Sequence, residues 1–98
     1  ESIDNIFVTF SVINHNHDKF LSELFESIKQ CCDFPYEIIL TENLIIKDSN
    51  NDKFLDFVDI RINNISPIGF GENHNNAFIK SKGEFFIIIN PDVILVKT

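Results

Sequence analysis

The stretch EFFIIINPDVIL, residues 84–95, joins an unbroken apolar run to a proline and an aspartate. EFFIII is continuous rather than alternating, which suits a strand covered on both faces, and it predicts a central strand of a parallel sheet. Asn90-Pro91-Asp92 then predicts the exit from that strand. Pro91 fixes its own φ and brings no N–H to a ladder, so Asp92 leaves the core at a set angle. A carboxylate there is either an ordinary turn residue or the reason for the strand, and the rest of the chain favours the second.

Working back from residue 84, ENHNNAFIKSK (72–82) predicts a helix with Ala77, Phe78 and His74 facing inward, ended by Gly83. ISPIGFG (65–71) is turn sequence, and VDIRIN (58–63) alternates as a half-buried strand near a sheet edge does. Residues 51–57 fit a short helix, and ENLIIKDSNN (42–51) a loop whose Ile45 and Ile46 turn back onto the core. YEIILT (36–41) reads as a second strand. Between it and the first lies a helix with Phe20, Leu21, Leu24, Phe25, Ile28 and Cys31 on one stripe, Asn16 as N-cap, Asp18 in the first turn and an end near Cys32. The first strand, NIFVTFSVI (5–13), is β-branched and aromatic on both parities. Strand and helix patterns alternate, the signature of βαβ units and a parallel sheet. With no repeat, low-complexity tract or linker, residues 1–98 are expected to form a single domain.

Composition bounds the function. A 98-residue chain with 44% hydrophobic residues, and eleven Phe against three Gly and three Pro, can bury a real core. Its net charge of -7 excludes nucleic acid as a partner, because phosphate backbones are held by a Lys/Arg surface that eight scattered basic residues do not provide. An anionic small molecule remains a fit if a cation stands between it and the protein. Adjacent Cys31 and Cys32 are poor disulfide partners and read as two reduced thiols. No signal-peptide pattern opens the chain and no apolar run is long enough to span a bilayer, which leaves peripheral membrane contact open. The sequence has no Met, so it is expected to be a piece of a longer protein.

In open parallel sheets ligands bind beyond the carboxyl ends of the strands, where strand order reverses. Three polar clusters occupy such ends: Asn14, His15 and Asn16; Thr41, Glu42 and Asn43; and Asn90, Pro91 and Asp92. Each alone fits a turn or cap; three on one edge point to a site. Gly69 and Gly71 lack the third glycine of a dinucleotide fingerprint and follow the third strand, no Walker lysine is present, and Glu72 would repel a phosphate at that helix start. These glycines therefore shape a tight backbone. His15, His17 and His74 lack zinc-ligand spacing, and no Ser-His-Asp order is legible. A receiver domain is disfavoured because the first strand ends in Asn and His rather than an acidic pair.

FSVINHN, EIILTEN, IGFGENHNNAF and FFIIINPDVIL, in this order and covering almost the whole chain, resemble the amino-terminal half of family 2 glycosyltransferases of the GT-A fold, particularly bacterial rhamnosyltransferase-like members. The resemblance implies an α/β fold: a truncated Rossmann-like three-layer parallel sheet, order 3-2-1-4, with helices on both faces. It implies that Asn14, His15, Asn16, Glu42 and Asn43 hold base and ribose, that residues 69–75, with Gly69 and Asn75, lie against the nucleotide sugar, and that Asn90 and Asp92 serve ribose and metal. Family members carry Tyr at His15 and Asp at Glu42.

The expected function is inverting, metal-dependent transfer from a UDP- or dTDP-linked sugar to a saccharide or lipid-linked acceptor in bacterial surface polysaccharide synthesis. The setting is the cytoplasm, at the inner face of the membrane. Mg²⁺ or Mn²⁺ would bind Asp92, the diphosphate and water, doing what lysines do elsewhere. No catalytic base is assigned within these residues; it is expected from the acceptor half. The alternative is a non-catalytic truncated module that binds nucleotide or forms a homo-oligomer through its apolar sheet edge.

Overall fold

A computed structural model describes residues 5–14, 18–43, 53–64, 66 and 68–96. Its elements in chain order are β1 (Val8–Asn14), α1 (Asp18–Cys31), β2 (Tyr36–Glu42), a 3-10 helix (Lys53–Phe57), β3 (Ile60–Asn63), α2 (Phe70–Lys80) and β4 (Phe85–Ile89). The strands form one parallel sheet in the order β3-β2-β1-β4. Between β1 and β4 the strand order reverses, as the resemblance implied. The predicted Asn16 cap, and Ile45 and Ile46, lie outside the described residues.

β1 is the two-sided strand. Val8, Phe10 and Val12 point to one face and join Ile38 and Leu40 of β2 and Ile89 of β4 beneath the Leu21, Leu24, Phe25 and Ile28 stripe of α1. The 3-10 helix closes this layer with Phe54, whose ring meets Phe25 at 6.4 Å. Every member is buried, and each such side chain contributes about 1.5–3 kcal/mol.

The opposite face is polar and equally buried. Thr9, Ser11, Glu37, Thr41, Asn73 and His74 are enclosed there, with Ile39 and Ala77. Thr9 Oγ1 donates to Glu37 Oε2 at 2.6 Å, and the Lys82 N–H donates to the same oxygen at 2.6 Å. The Gly83 N–H in turn donates to Thr9 Oγ1 at 2.9 Å. These bonds tie the start of β4 to β1 and β2, and α2 covers the face as the third layer.

Three expectations change. Gly83 does not end α2. Ser81 caps it, with both its N–H and its hydroxyl donating to the Phe78 carbonyl at 3.1 and 2.7 Å. Gly83 is needed for close approach, since a Cβ there would stand 2.5 Å from the Thr9 backbone nitrogen. Phe78 does not face inward; it is 60% exposed, because the smaller Ala77 takes the sheet contact and brings α2 close. β4 is not central: among the described residues β1 is its one strand neighbour, and Phe85 and Ile88 are 53% and 47% exposed. An apolar run records that both faces call for cover, whatever element supplies it. β3 behaves as an edge strand should, with half-buried and exposed residues alternating. Cys31 and Cys32 are both free, and burial, then Cys31 and Asp33, push the Cys32 thiol up, against a thiolate nucleophile there.

Candidate functional site

Register brings the polar strand ends level. Asn14 pairs with Glu42 and Glu42 with Asn63, so β1, β2 and β3 close on one line. Val12 pairs with Ile89, which sets Asn90 and the turn after it beside the end of β1. The ladder continues one residue further on each side of β2: the Asn43 N–H donates to Asn14 O at 2.9 Å and the Asn64 N–H to Glu42 O at 3.0 Å.

Two side-chain networks sit on this edge. In the first, Glu42 is held from both sides, with Asn14 Nδ2 donating to Oε1 at 2.8 Å and an Arg61 guanidinium nitrogen donating to Oε2 at 3.3 Å. The second is a ring of amides around Ile68. Asn43 Oδ1 accepts from the Ile68 N–H at 2.9 Å while its Nδ2 donates to the Ile68 carbonyl at 3.1 Å, the two-point pairing one strand makes with another. Asn64 Nδ2 donates to Asn43 Oδ1 at 2.8 Å and to Asn73 Oδ1 at 2.7 Å, and Asn73 Nδ2 returns to the Ile68 carbonyl at 3.2 Å. The amides thus pin the residue that precedes Gly69, the N-cap of α2.

Beneath them His74 Nδ1 lies 2.8 Å from Ser11 Oγ, and the Phe70 ring meets the imidazole edge-on at 4.4 Å. Burial lowers the His74 pKa from its usual value, so the ring is neutral at pH 7. Thr41 Oγ1 is the one buried side-chain polar atom among the described residues that has no hydrogen-bond partner.

Of the predicted site residues, Asn14, Glu42 and Asn43 come together, and Gly69 is fixed to them through Ile68. Asn75 is exposed on α2. Asn90 and Asp92 are exposed in the turn closed by the Val93 N–H donating to Asn90 O at 3.2 Å. His15 and Asn16 lie outside the described residues. Sequence reading missed Arg61, Asn64 and the pairing of Ser11 with His74, and it included Asn73 in the segment 69–75 without its amide contacts. A lone arginine and the Asn63-Asn64 doublet at the end of a strand were the available signals.

Among the described residues no three His, Cys, Asp or Glu side chains group closely enough to cage a metal ion. An ion at Asp92 would take its remaining ligands from phosphate and water, the usual arrangement for Mg²⁺ with nucleotides. No helix among these residues is long and apolar enough to cross a membrane.

No protein-family model and no curated protein matches this chain. Solved structures do. The Staphylococcus aureus TarS 1-349 structure, and the same fragment in complex with UDP, each match with a TM-score of 0.73 at 21% identity, covering 89% of this chain and 28% of that one. A mannosyltransferase from Pyrobaculum calidifontis, PcManGT, in complex with GDP-Man and Mn²⁺, matches with a TM-score of 0.77 at 17% identity, covering 92% of this chain and 28% of that one. The chain therefore spans little more than a quarter of these solved chains, and 17% of the longer TarS structure, and at such identities the likeness is one of fold.

Proposed function

With a GT-A-type fold as premise, we propose that this chain is the donor-binding half of a metal-dependent glycosyltransferase, holding a nucleotide-diphosphate sugar along the carboxyl edge of its sheet. The register of that edge supports the reading: Asn14, Glu42 and Asn63 end their strands at one level, and the pairing of Val12 with Ile89 brings Asn90, two residues before Asp92, alongside the end of β1. The UDP and GDP-Man bound by proteins of similar fold support it.

In this reading Asn14 and Glu42 meet base and ribose, together with His15 and Asn16, which follow Asn14 in the sequence. Asn43 acts by pinning Ile68, which presents Gly69 and the Asn75 side of α2 to the sugar. Asn90 shapes the turn that carries Asp92. A bound Mg²⁺ or Mn²⁺ supplies Lewis-acid stabilisation to the leaving diphosphate, and Asp92 is the carboxylate that would hold it. Its exposure in a turn fits an ion shared with substrate phosphates.

Inversion by an acceptor hydroxyl needs a general base, which this reading assigns, with the acceptor site, to the part of the fold that the chain does not span. The saccharide or lipid-linked acceptor, bacterial polysaccharide synthesis and a cytoplasmic setting at the membrane belong to the same proposal.

Calorimetry with UDP, dTDP and GDP, with and without Mn²⁺, tests the reading. Mn²⁺ is expected to strengthen binding of at least one diphosphate in the parent, and Asp92→Ala to remove that gain. Equal affinity with and without the ion in both proteins would count decisively against it.

A second reading, a non-catalytic module that pairs with its own copy, is favoured by the exposed Phe85, Ile87 and Ile88 of β4, whose outer edge pairs with no strand among the described residues. Sedimentation discriminates: that reading expects a nucleotide-free dimer dissociated by Ile87→Lys, and a clean monomer removes it.

A further inference from the structure

This inference rests on the donor-binding reading and narrows the donor. Arg61 is the single arginine of the chain, on edge strand β3 between Ile60 and Ile62. Its guanidinium reaches diagonally across to the last residue of β2, and Arg61–Glu42 is the one ion pair among the described residues. The Arg61 side chain is 35% exposed and that of Glu42 only 10%. A partly exposed pair with one contact adds little to stability. Its placement is what matters: together with Asn14 it engages both oxygens of the carboxylate that ends β2.

In dinucleotide-binding folds an acidic residue about 20 residues beyond the glycine-rich turn accepts a hydrogen bond from the ribose 2′-hydroxyl, which shows what a carboxylate can read at a sheet's carboxyl edge. An ionised carboxylate has about four acceptor positions. Asn14 takes one on Oε1 and Arg61 one on Oε2, so the directions of those left over are set by two donors anchored on the flanking strands. A carboxylate held on one side alone can swing about its terminal torsion, which is broad and soft.

We propose that Arg61 is a positioning residue: with Asn14 it aims Glu42 at a ribose 2′-hydroxyl, and the site thereby takes ribonucleoside diphosphate sugars in preference to 2′-deoxyribonucleoside ones such as dTDP-linked donors. Arg61 touches no substrate and acts through Glu42. Lysine at this place keeps the charge and loses the rigid fork, so it restores the aim only in part.

The test measures affinities of UDP and 2′-deoxy-UDP, and of GDP and 2′-deoxy-GDP, all with Mn²⁺, for the parent, Arg61→Met and Arg61→Lys, alongside the melting temperature of each ligand-free protein. The parent is expected to prefer the ribo form of the base it accepts by about tenfold or more, the effect of one hydrogen bond to a charged group. Arg61→Met brings that ratio close to one by weakening the ribo form alone, Arg61→Lys gives an intermediate ratio, and ligand-free melting temperatures stay close together. A parent without ribo preference overturns the inference, as does Arg61→Met that weakens both forms by one factor or leaves the ratio intact. Should Arg61→Met fail to fold, Arg61→Lys decides: an unchanged ratio overturns the inference. A parent that binds no diphosphate at all removes the donor-binding reading, and this inference with it, a result distinguishable because it does not depend on Arg61.

Discussion

Along β1 and β2 the two faces of this sheet are both buried, by opposite means. Under α1 the contacts are apolar side chains that carry no direction: Val8, Phe10, Val12, Ile38 and Leu40 against Leu21, Leu24, Phe25 and Ile28. Under α2 they are hydrogen bonds with fixed partners: Thr9 and Lys82 on Glu37, Gly83 on Thr9, and Ser11 with His74. The apolar face stabilises, and tolerates repacking of similar volume. The polar face gains less net free energy per contact, because its groups give up water to find each other, but it permits few alternative arrangements. That division suits a protein whose site must be held in register: α2 and the loop before it, which carry Gly69 and Asn75, are seated by bonds that fail if displaced.

The comparison predicts which face breaks hardest. Leu24→Ala on the apolar side is expected to cost about 2–5 kcal/mol, while Leu24→Met stays below about 1.5 kcal/mol. Urea unfolding checks both, and similar losses for the two would mean that the α1 layer is as exacting in shape as the other face. Gly83→Ala is the corresponding probe of the polar side. It adds a single methyl, but that methyl meets the Thr9 nitrogen at 2.5 Å and the Val8 carbonyl carbon at 2.8 Å, atoms of backbone that cannot turn aside. A loss of about 1–3 kcal/mol is expected, along with faster hydrogen exchange at the Lys82 and Gly83 amides. A neutral Gly83→Ala would show that the close approach of this link to β1 is dispensable.

The apolar face was readable in the sequence because it has a period. The α1 stripe repeats every three or four residues, and Leu21, Leu24, Phe25 and Ile28 are all fully buried where that spacing put them. The order 3-2-1-4 came from the resemblance of ordered motifs, since alternation of strands and helices alone does not choose among parallel orders. The polar face has no period. Glu37 and Thr9 are 28 residues apart and Ser11 and His74 63 apart, so nothing in local spacing announces that they meet. The same holds at the site. Strand-end clusters flagged Asn14, Glu42 and Asn43, whereas Arg61 and Asn64 became visible only when register brought them alongside. Misplacing β4 has a related cause: a two-sided apolar run states a requirement for cover and leaves its source unstated.

The mildest probe of the comparison is pH, which acts on the polar face and leaves the apolar one unaffected. His74 is buried against Ser11 and Phe70, and burial lowers its pKa in the folded protein, whereas in the unfolded chain the imidazole titrates near its usual value of about 6.5. Above that value both states carry a neutral ring and His74 makes no difference to the pH dependence. As pH falls below about 6.5 the unfolded chain takes up a proton that the folded protein resists, so stability declines until the pH reaches the lowered folded pKa. For one proton the slope cannot exceed about 1.4 kcal/mol per pH unit. The difference in urea-unfolding free energy between the parent and His74→Gln, followed from pH 8 to pH 5, isolates this group from the other titrating residues common to both. The parent is expected to lose stability relative to the variant only below about pH 6.5. A difference curve that stays flat throughout would mean that the imidazole keeps its proton affinity when folded, and that the seat of α2 is more open to water than its hydrogen bonds indicate.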